Sequence, residues 1–247
     1  MNIDRQLELR QRPQQRCVMR QSWNDLLFLH WRLDPDLVQA ALPAGLQVDT
    51  FDNAAWIGVV PFFMRHIRLS GLPSLPGATN FLELNLRTYV VDERGTPGVW
   101  FFSLDANSAL SVWGARLWFG LPYWRAKMTA ARDAQSGAID FRCHRIGTPE
   151  STASRFVYAG EGPLTTAQPG SLEFFLVERY LLFSRSRLGV LRSGRVHHPP
   201  YEFASARVTL SDGHLLGLNG FEAPITPPDH AAFSPGVAVE IFGLRRN

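Results

Sequence analysis

Between residues 46 and 145 apolar and polar side chains mostly alternate with a period of two, broken by turn-forming clusters, which predicts a succession of strands. Leu46–Thr50 and Ala55–Val60 flank Asp52-Asn53, a dipeptide suited to a hairpin turn. Leu69–Thr79 is rich in Gly, Pro and Ser and reads as a loop. Phe81–Val91 is a long strand, turned by residues 93–98 into a second, Val99–Ala106. Tyr123–Arg132 and Ile139–Arg145 pair across a turn at Ala134–Gly137, and residues 203–210 and 236–243 alternate again. Helical signals are short. Asp34 can cap Pro35–Ala41, and Ser171 can cap a turn or two through Val177. Tyr180–Arg187 either extends that helix or forms a strand. The fold expected is mainly β with a few short helices, closing into a barrel. Residues 1–20 read as a polar N-terminal arm and 21–247 as a single domain.

Composition narrows the classes. The chain is 45% hydrophobic, enough for a sizeable core. Residues 1–16 lack the apolar stretch of a secretion signal, and the longest apolar run, Trp56–Met64, is too short to span a bilayer, so a cytoplasmic protein with no membrane partner is expected. Cys17 and Cys143 lack metal-ligand spacing, and no phosphate-cradling glycine loop is present, so no metal and no cofactor are expected. Charge is interspersed, at a formal +3, without the basic stripe of a nucleic-acid binder. The expected partner is a small-molecule ligand, and the pattern is compatible with a homo-oligomer. The 25 basic residues include one lysine, Lys127, so amine chemistry has one candidate.

Three segments carry polar groups where a strand can aim them together. On Phe81–Val91, Glu83, Asn85, Arg87 and Tyr89 share one face, opposite Leu82, Leu84, Leu86 and Thr88. Such a stripe is either a solvated outer face or the lining of a cavity. On the strand from Tyr123, that residue shares a face with Arg125 and Lys127, and Arg116 lies just upstream. An arginine beside a tyrosine can hold a carboxylate. Glu178, Arg179 and Tyr180 interrupt apolar runs, so at least one points inward; Glu178 there is either a structural ion pair or a ligand contact. His197-His198 precedes two prolines, and adjacent extended residues face opposite ways, which leaves one of them, His198, as a lining candidate.

Several blocks in fixed order, among them Leu42-Pro43-Ala44-Gly45-Leu46, Phe81-Leu82-Glu83-Leu84-Asn85-Leu86-Arg87-Thr88-Tyr89, Gly120-Leu121-Pro122-Tyr123 and Glu178-Arg179-Tyr180, resemble the YqjF-like family, from about Gln21 to Leu244. That family is similar in fold to the acetoacetate decarboxylases, which implies a β-barrel with a central cavity. In the decarboxylases a lysine after a Gly-x-Pro turn forms a Schiff base, with a glutamate and an arginine completing the pocket. The resemblance implies Glu83 and Arg116 for the latter two. Tyr123 occupies the lysine's place, and a phenol cannot form an iminium. Lys127, four residues on, stands about 13 Å away along a strand and would come within roughly 6 Å only on a helix. The function expected is a ligand-binding barrel for a carboxylate- or carbonyl-containing metabolite. If it is an enzyme, Glu83, Arg116 and Tyr123 are its candidate catalytic residues; Asn85, Arg87, Tyr89, Glu178 and His198 are the candidate ligand contacts. The alternatives are a decarboxylase-like enzyme using Lys127 and a non-catalytic ligand sensor.

Overall fold

A computed structural model describes residues 2–71, 79–186, 188–223 and 225–246. Most of the expected Leu69–Thr79 loop, and the Arg187 end of the Tyr180–Arg187 segment, lie outside the described residues. The first twenty residues, expected as a polar arm, contain a helix, α1 (Ile3–Arg10), capped by Asn2. Gln6 and Leu9 on it are buried, and Gln6 Nε2 donates to the carbonyls of Phe174 and Glu178. Those partners are distant in sequence, so nothing local announces the packing.

β1 (Met19–Leu33) leads into α2 (Pro35–Ala40), where the Asp34 side chain accepts from the Asp36 N–H as expected. β2 (Leu46–Val48) and β3 (Ala55–Leu69) flank the Asp52-Asn53 turn, with both residues at positive φ, 50° and 58°. The hairpin is minimal, a single Phe51–Ala54 bridge, because β2 pairs instead with Phe81–Asp92, β4. β5 (Pro97–Ala106) pairs with β4 as predicted. A ten-residue helix, α3 (Ala109–Trp118), follows where none was foreseen; its sequence is apolar nearly all round, so it shows no helical stripe. β6 (Tyr123–Arg132) and β7 (Ile139–Arg145) match expectation; β8 (Ser154–Thr166) was missed. α4 (Leu172–Val177) is capped by Ser171, whose hydroxyl accepts from the Phe174 N–H at 3.1 Å. The next segment is a strand, β9 (Leu181–Arg185), followed by β10 (Leu191–His197) and β11 (Glu202–Leu210). α5 (His214–Gly217), β12 (His230–Ile241) and β13 (Arg245–Arg246) complete the chain.

All the strands join one sheet in the order β13-β10-β9-β5-β6-β7-β8-β11-β12-β1-β3-β4-β2. Added pairings of β4 with β5 and of β10 with β12 bring it partly round into a ring, where a barrel was expected. β5 lies parallel to β6 and β9, and the other pairings are antiparallel.

This wrapping gives β4 apolar neighbours on both sides. Leu84 and Leu86 belong to one core cluster with Leu29, Ile57, Phe141 and Phe156. Tyr89 belongs to another with Phe28, Phe62, Phe174 and Phe175. The polar stripe predicted on β4 is therefore buried rather than wet: Glu83, Asn85 and Tyr89 are buried and Arg87 is half-buried. Of the two readings of that stripe, the solvated outer face fails.

Candidate functional site

Beside β4 lies a cavity of about 360 Å³, within the range of small-molecule sites. Most of its wall is apolar, including Trp23, Met64, Phe81, Phe101, Leu104 and Leu121. Polar side chains on its wall include Gln21, Arg68, Arg87, Tyr123, Arg179, His198 and Tyr201. Of these Arg68 is exposed, and the others are buried or half-buried.

The two inner arginines flank Tyr89. The Arg179 guanidinium carbon stands 5.0 Å from the Tyr89 ring centre and 4.4 Å from that of Phe175. Arg179 Nη1 meets Asp49 Oδ2 at 2.9 Å in a buried ion pair. Burial pushes the Arg179 pKa down despite that partner, and the positive charge of Arg87 adds to the effect. Arg87 stands 5.4 Å from the Phe28 ring centre and 5.8 Å from that of Tyr89. Its Nη2 donates weakly to Tyr89 Oη at 3.4 Å and to the Leu176 carbonyl at 3.3 Å. Among the described residues no carboxylate pairs with Arg87, and Arg87 Nε and Arg179 Nη2 have no hydrogen-bond partner. Buried cations are ordinarily paired. This end of the cavity is thus short of negative charge.

Local sequence makes room for that arrangement. Gly58 of β3 pairs with Arg87 on one side and His30 of β1 on the other. A Cβ there would lie 2.9 Å from His30 Cδ2 and in contact with Arg87 Cγ at 3.4 Å, so a larger residue displaces the His30 ring. His30 Nε2 is 2.7 Å from Tyr89 Oη, and His30 Nδ1 is 3.0 Å from His230 Nδ1. Since Arg87 donates to Tyr89 Oη, the phenol proton is free to point at His30 Nε2, which puts the His30 proton on Nδ1. Burial holds His30 well below the usual histidine range and also lowers His230 and His198, so all three rings are neutral.

A second polar group sits further along β4. Tyr123 Oη donates to Glu83 Oε2 at 2.7 Å, and Asn85 also hydrogen-bonds the carboxyl. Burial pushes Glu83 up to about 7 against those hydrogen bonds, with the Asp105 charge adding to the rise. Burial and the Glu83 charge hold the Tyr123 phenol well above its usual range. A carboxyl that titrates near neutrality, joined to a phenol on the cavity wall, can pass a proton in either direction. Asp105 is occupied separately by Arg145, at 2.9 Å.

The expected residues therefore divide. Arg87, Tyr123 and His198 line the cavity, and Glu83 reaches it through Tyr123. Asn85 and Tyr89 stand behind the wall as supports of Glu83 and of the arginines. Arg116 is a correction: it is exposed on α3, donates to the Tyr123 carbonyl and stacks on Trp124 at 5.4 Å, so it faces away from the cavity. The resemblance implied it from its place before Gly120-Leu121-Pro122, and the unforeseen helix carries it to the outer surface. Glu178 is the second. It is fully buried but bonded to Arg10 at 3.0 Å, to the Tyr201 N–H at 3.0 Å and to the Tyr180 hydroxyl, which makes it the structural ion pair of the two readings. Lys127 is exposed opposite His144, outside the cavity lining, which removes the amine from the site. Sequence reasoning missed Gln21 and Trp23 of β1, and it left Arg179 as one of three inward candidates without choosing it. Among the described residues no cluster of His, Cys, Asp and Glu is arranged to hold a metal, and no helix is long and apolar enough to cross a membrane.

Comparison with known proteins agrees with this architecture. Residues 20–238 match the model of the DUF2071 family, described as an uncharacterized conserved protein. The chain is 39% identical over 211 residues to the uncharacterized protein YqjF of Bacillus subtilis (strain 168), covering 85% of each. Among solved structures, it is similar to the enduracididine biosynthesis enzyme MppR complexed with pyruvate, at TM-score 0.66 and 18% identity, covering 94% of this chain and 91% of that one. An acetoacetate decarboxylase-like enzyme from Sphingomonas wittichii RW1 gives TM-score 0.61 and 17% identity, covering 94% of each chain. Acetoacetate decarboxylase from Legionella pneumophila gives 0.59 and 14%, covering 95% and 90%. At these identities the solved structures show a shared fold. The chain belongs to the DUF2071 family and has an acetoacetate decarboxylase-like, mainly β fold.

Proposed function

We propose that the cavity binds a small organic carboxylate, with its anionic end at Arg87 and Arg179 and a carbonyl or acidic C–H bond further along the molecule presented to the Glu83–Tyr123 pair. The observation that carries this reading is Arg87, a half-buried cation on the cavity wall with no carboxylate partner among the described residues. A bound carboxylate supplies the missing charge and accepts from the half-buried Arg87 guanidinium. It also relieves the repulsion between the two arginines.

Any chemistry at this site runs without a Schiff base. Tyr123 cannot form one, and Lys127 is exposed elsewhere. The site instead suits proton transfer at a carbon or oxygen next to a carbonyl, with Glu83 taking or giving the proton through or beside Tyr123. The MppR structure in complex with pyruvate supports an oxo acid as a ligand for this fold, although fold alone does not transfer a reaction.

The test is isothermal calorimetry with pyruvate and a panel of short oxo and simple carboxylates, on the wild-type chain and Arg87→Gln. Binding that drops at least tenfold in the variant, with an unchanged unfolding profile, supports the reading. Equal binding by both proteins refutes it. Proton exchange into the bound acid, followed by NMR in deuterated water, separates an enzyme from a sensor.

A further inference from the structure

We propose that the ligand of this cavity is an amphiphile, a monocarboxylate whose apolar tail runs from Arg87 past Tyr123 to α3, and this rests on the arginine-anchored reading above. The strand register sets the axis. Arg87 pairs with Gly58, and six residues back along β4 Phe81 pairs with Met64, which in turn pairs with Trp23. That is about 20 Å of strand. Of the buried groups on the lining, the two cations with an unpartnered nitrogen, Arg87 and Arg179, are at one end. Tyr123 belongs to the middle, because it pairs with Leu104, which pairs with Asn85. Beyond it the wall is mostly apolar, with Phe81, Met64, Phe119, Trp113 and Trp118, and the exposed Arg68 stands at the rim.

Polarity and size both argue for a tail. A three-carbon acid held at Arg87 contacts only the inner end of a 360 Å³ cavity and leaves the apolar remainder of the wall untouched. Each tail methylene that takes up that wall tightens binding about fourfold. α3 forms the outer limit: Leu110, Trp113 and Trp118 line the cavity edge yet are 58, 66 and 57% exposed. Large apolar side chains that are half in the cavity and half in water gain most from a tail that reaches them. The spacing also orders the chemistry. With the carboxylate at Arg87, the Glu83–Tyr123 pair stands four residues, or about 13 Å of strand, further on, so the ligand atoms it meets lie beyond the carboxylate carbon.

The experiment is calorimetry with straight-chain acids from butanoate to decanoate, the matched primary alcohols, and pyruvate, on the wild-type chain and on Trp113→Ala. Affinity is expected to rise about fourfold per methylene until the tail reaches α3, and each acid is expected to bind at least tenfold tighter than its alcohol. Trp113→Ala, a change at an exposed position, should weaken decanoate severalfold and leave butanoate unchanged. Affinity that is flat along the series, with pyruvate and butanoate still bound, overturns the amphiphile and leaves the arginine-anchored reading standing. Acids and alcohols of equal affinity, or no binding by any acid, overturn both.

Discussion

Replacing Glu83 by glutamine removes a carboxyl that burial holds near pKa 7 and keeps an oxygen that can accept from Tyr123. In the unfolded chain that carboxyl titrates near 4.5. Between these values the folded state holds the proton more tightly, so Glu83 makes the protein less stable as pH rises. The contribution is fully present below about pH 4.5 and lost once pH passes 7. The total is about 3 kcal/mol, of which roughly 2 kcal/mol falls between pH 5 and pH 8. Other groups titrate in the same window. The buried neutral histidines His30, His198 and His230 act oppositely, losing stability as pH falls through the unfolded value near 6.5. The informative quantity is therefore the difference between wild type and Glu83→Gln, measured by urea unfolding at each pH. The variant should gain roughly 2 kcal/mol on the wild type between pH 5 and pH 8, or about 4–8 °C in melting temperature. A difference that does not change with pH refutes the placement of Glu83 as a buried, raised carboxyl.

Three further outcomes follow from the same geometry. Gly58→Ala places a methyl group 2.9 Å from the His30 ring, which must shift and pull on its bond to the Tyr89 hydroxyl; denaturant unfolding should show a loss of about 1–3 kcal/mol, and unchanged stability would mean that His30 does not pack against Gly58. Asp49→Ala leaves Arg179 buried without its ion-pair partner, which should cost about 3–5 kcal/mol in denaturant unfolding. Lys127→Ala should stay within about 0.5 kcal/mol of the wild type, and borohydride with an oxo acid should leave Lys127 unmodified, because the amine is exposed outside the cavity.

What the sequence made legible was local. Asp34 with Pro35, Ser171, and the Asp52-Asn53 turn each act through backbone groups a few residues away, and each stands in the structure as the pattern predicts. The alternation on β4 correctly grouped Glu83, Asn85, Arg87 and Tyr89, since side-chain phase is a property of one strand. Which medium that face meets depends on strands far along the chain. β4 divides two apolar clusters, so neither face is wet. α3 escaped notice because all its residues but Ser111 and Arg116 are apolar or glycine, leaving no polar stripe to mark a helix, and with it went the true position of Arg116. Glu178 needed Arg10, from a segment that looked like a free arm, before its role could be decided. The parallel pairings of β5 leave no turn signal between their partners to be read.

The most direct test of the arginine anchor is a crystal structure of the chain with a straight-chain carboxylate brominated at its far end. The carboxylate is expected within hydrogen-bonding distance of Arg87 and Arg179, with the bromine signal beside Trp113 and Phe119 at the α3 end. A carboxylate held at the exposed rim by Arg68, with bromine against Tyr89 and Phe28, would contradict it.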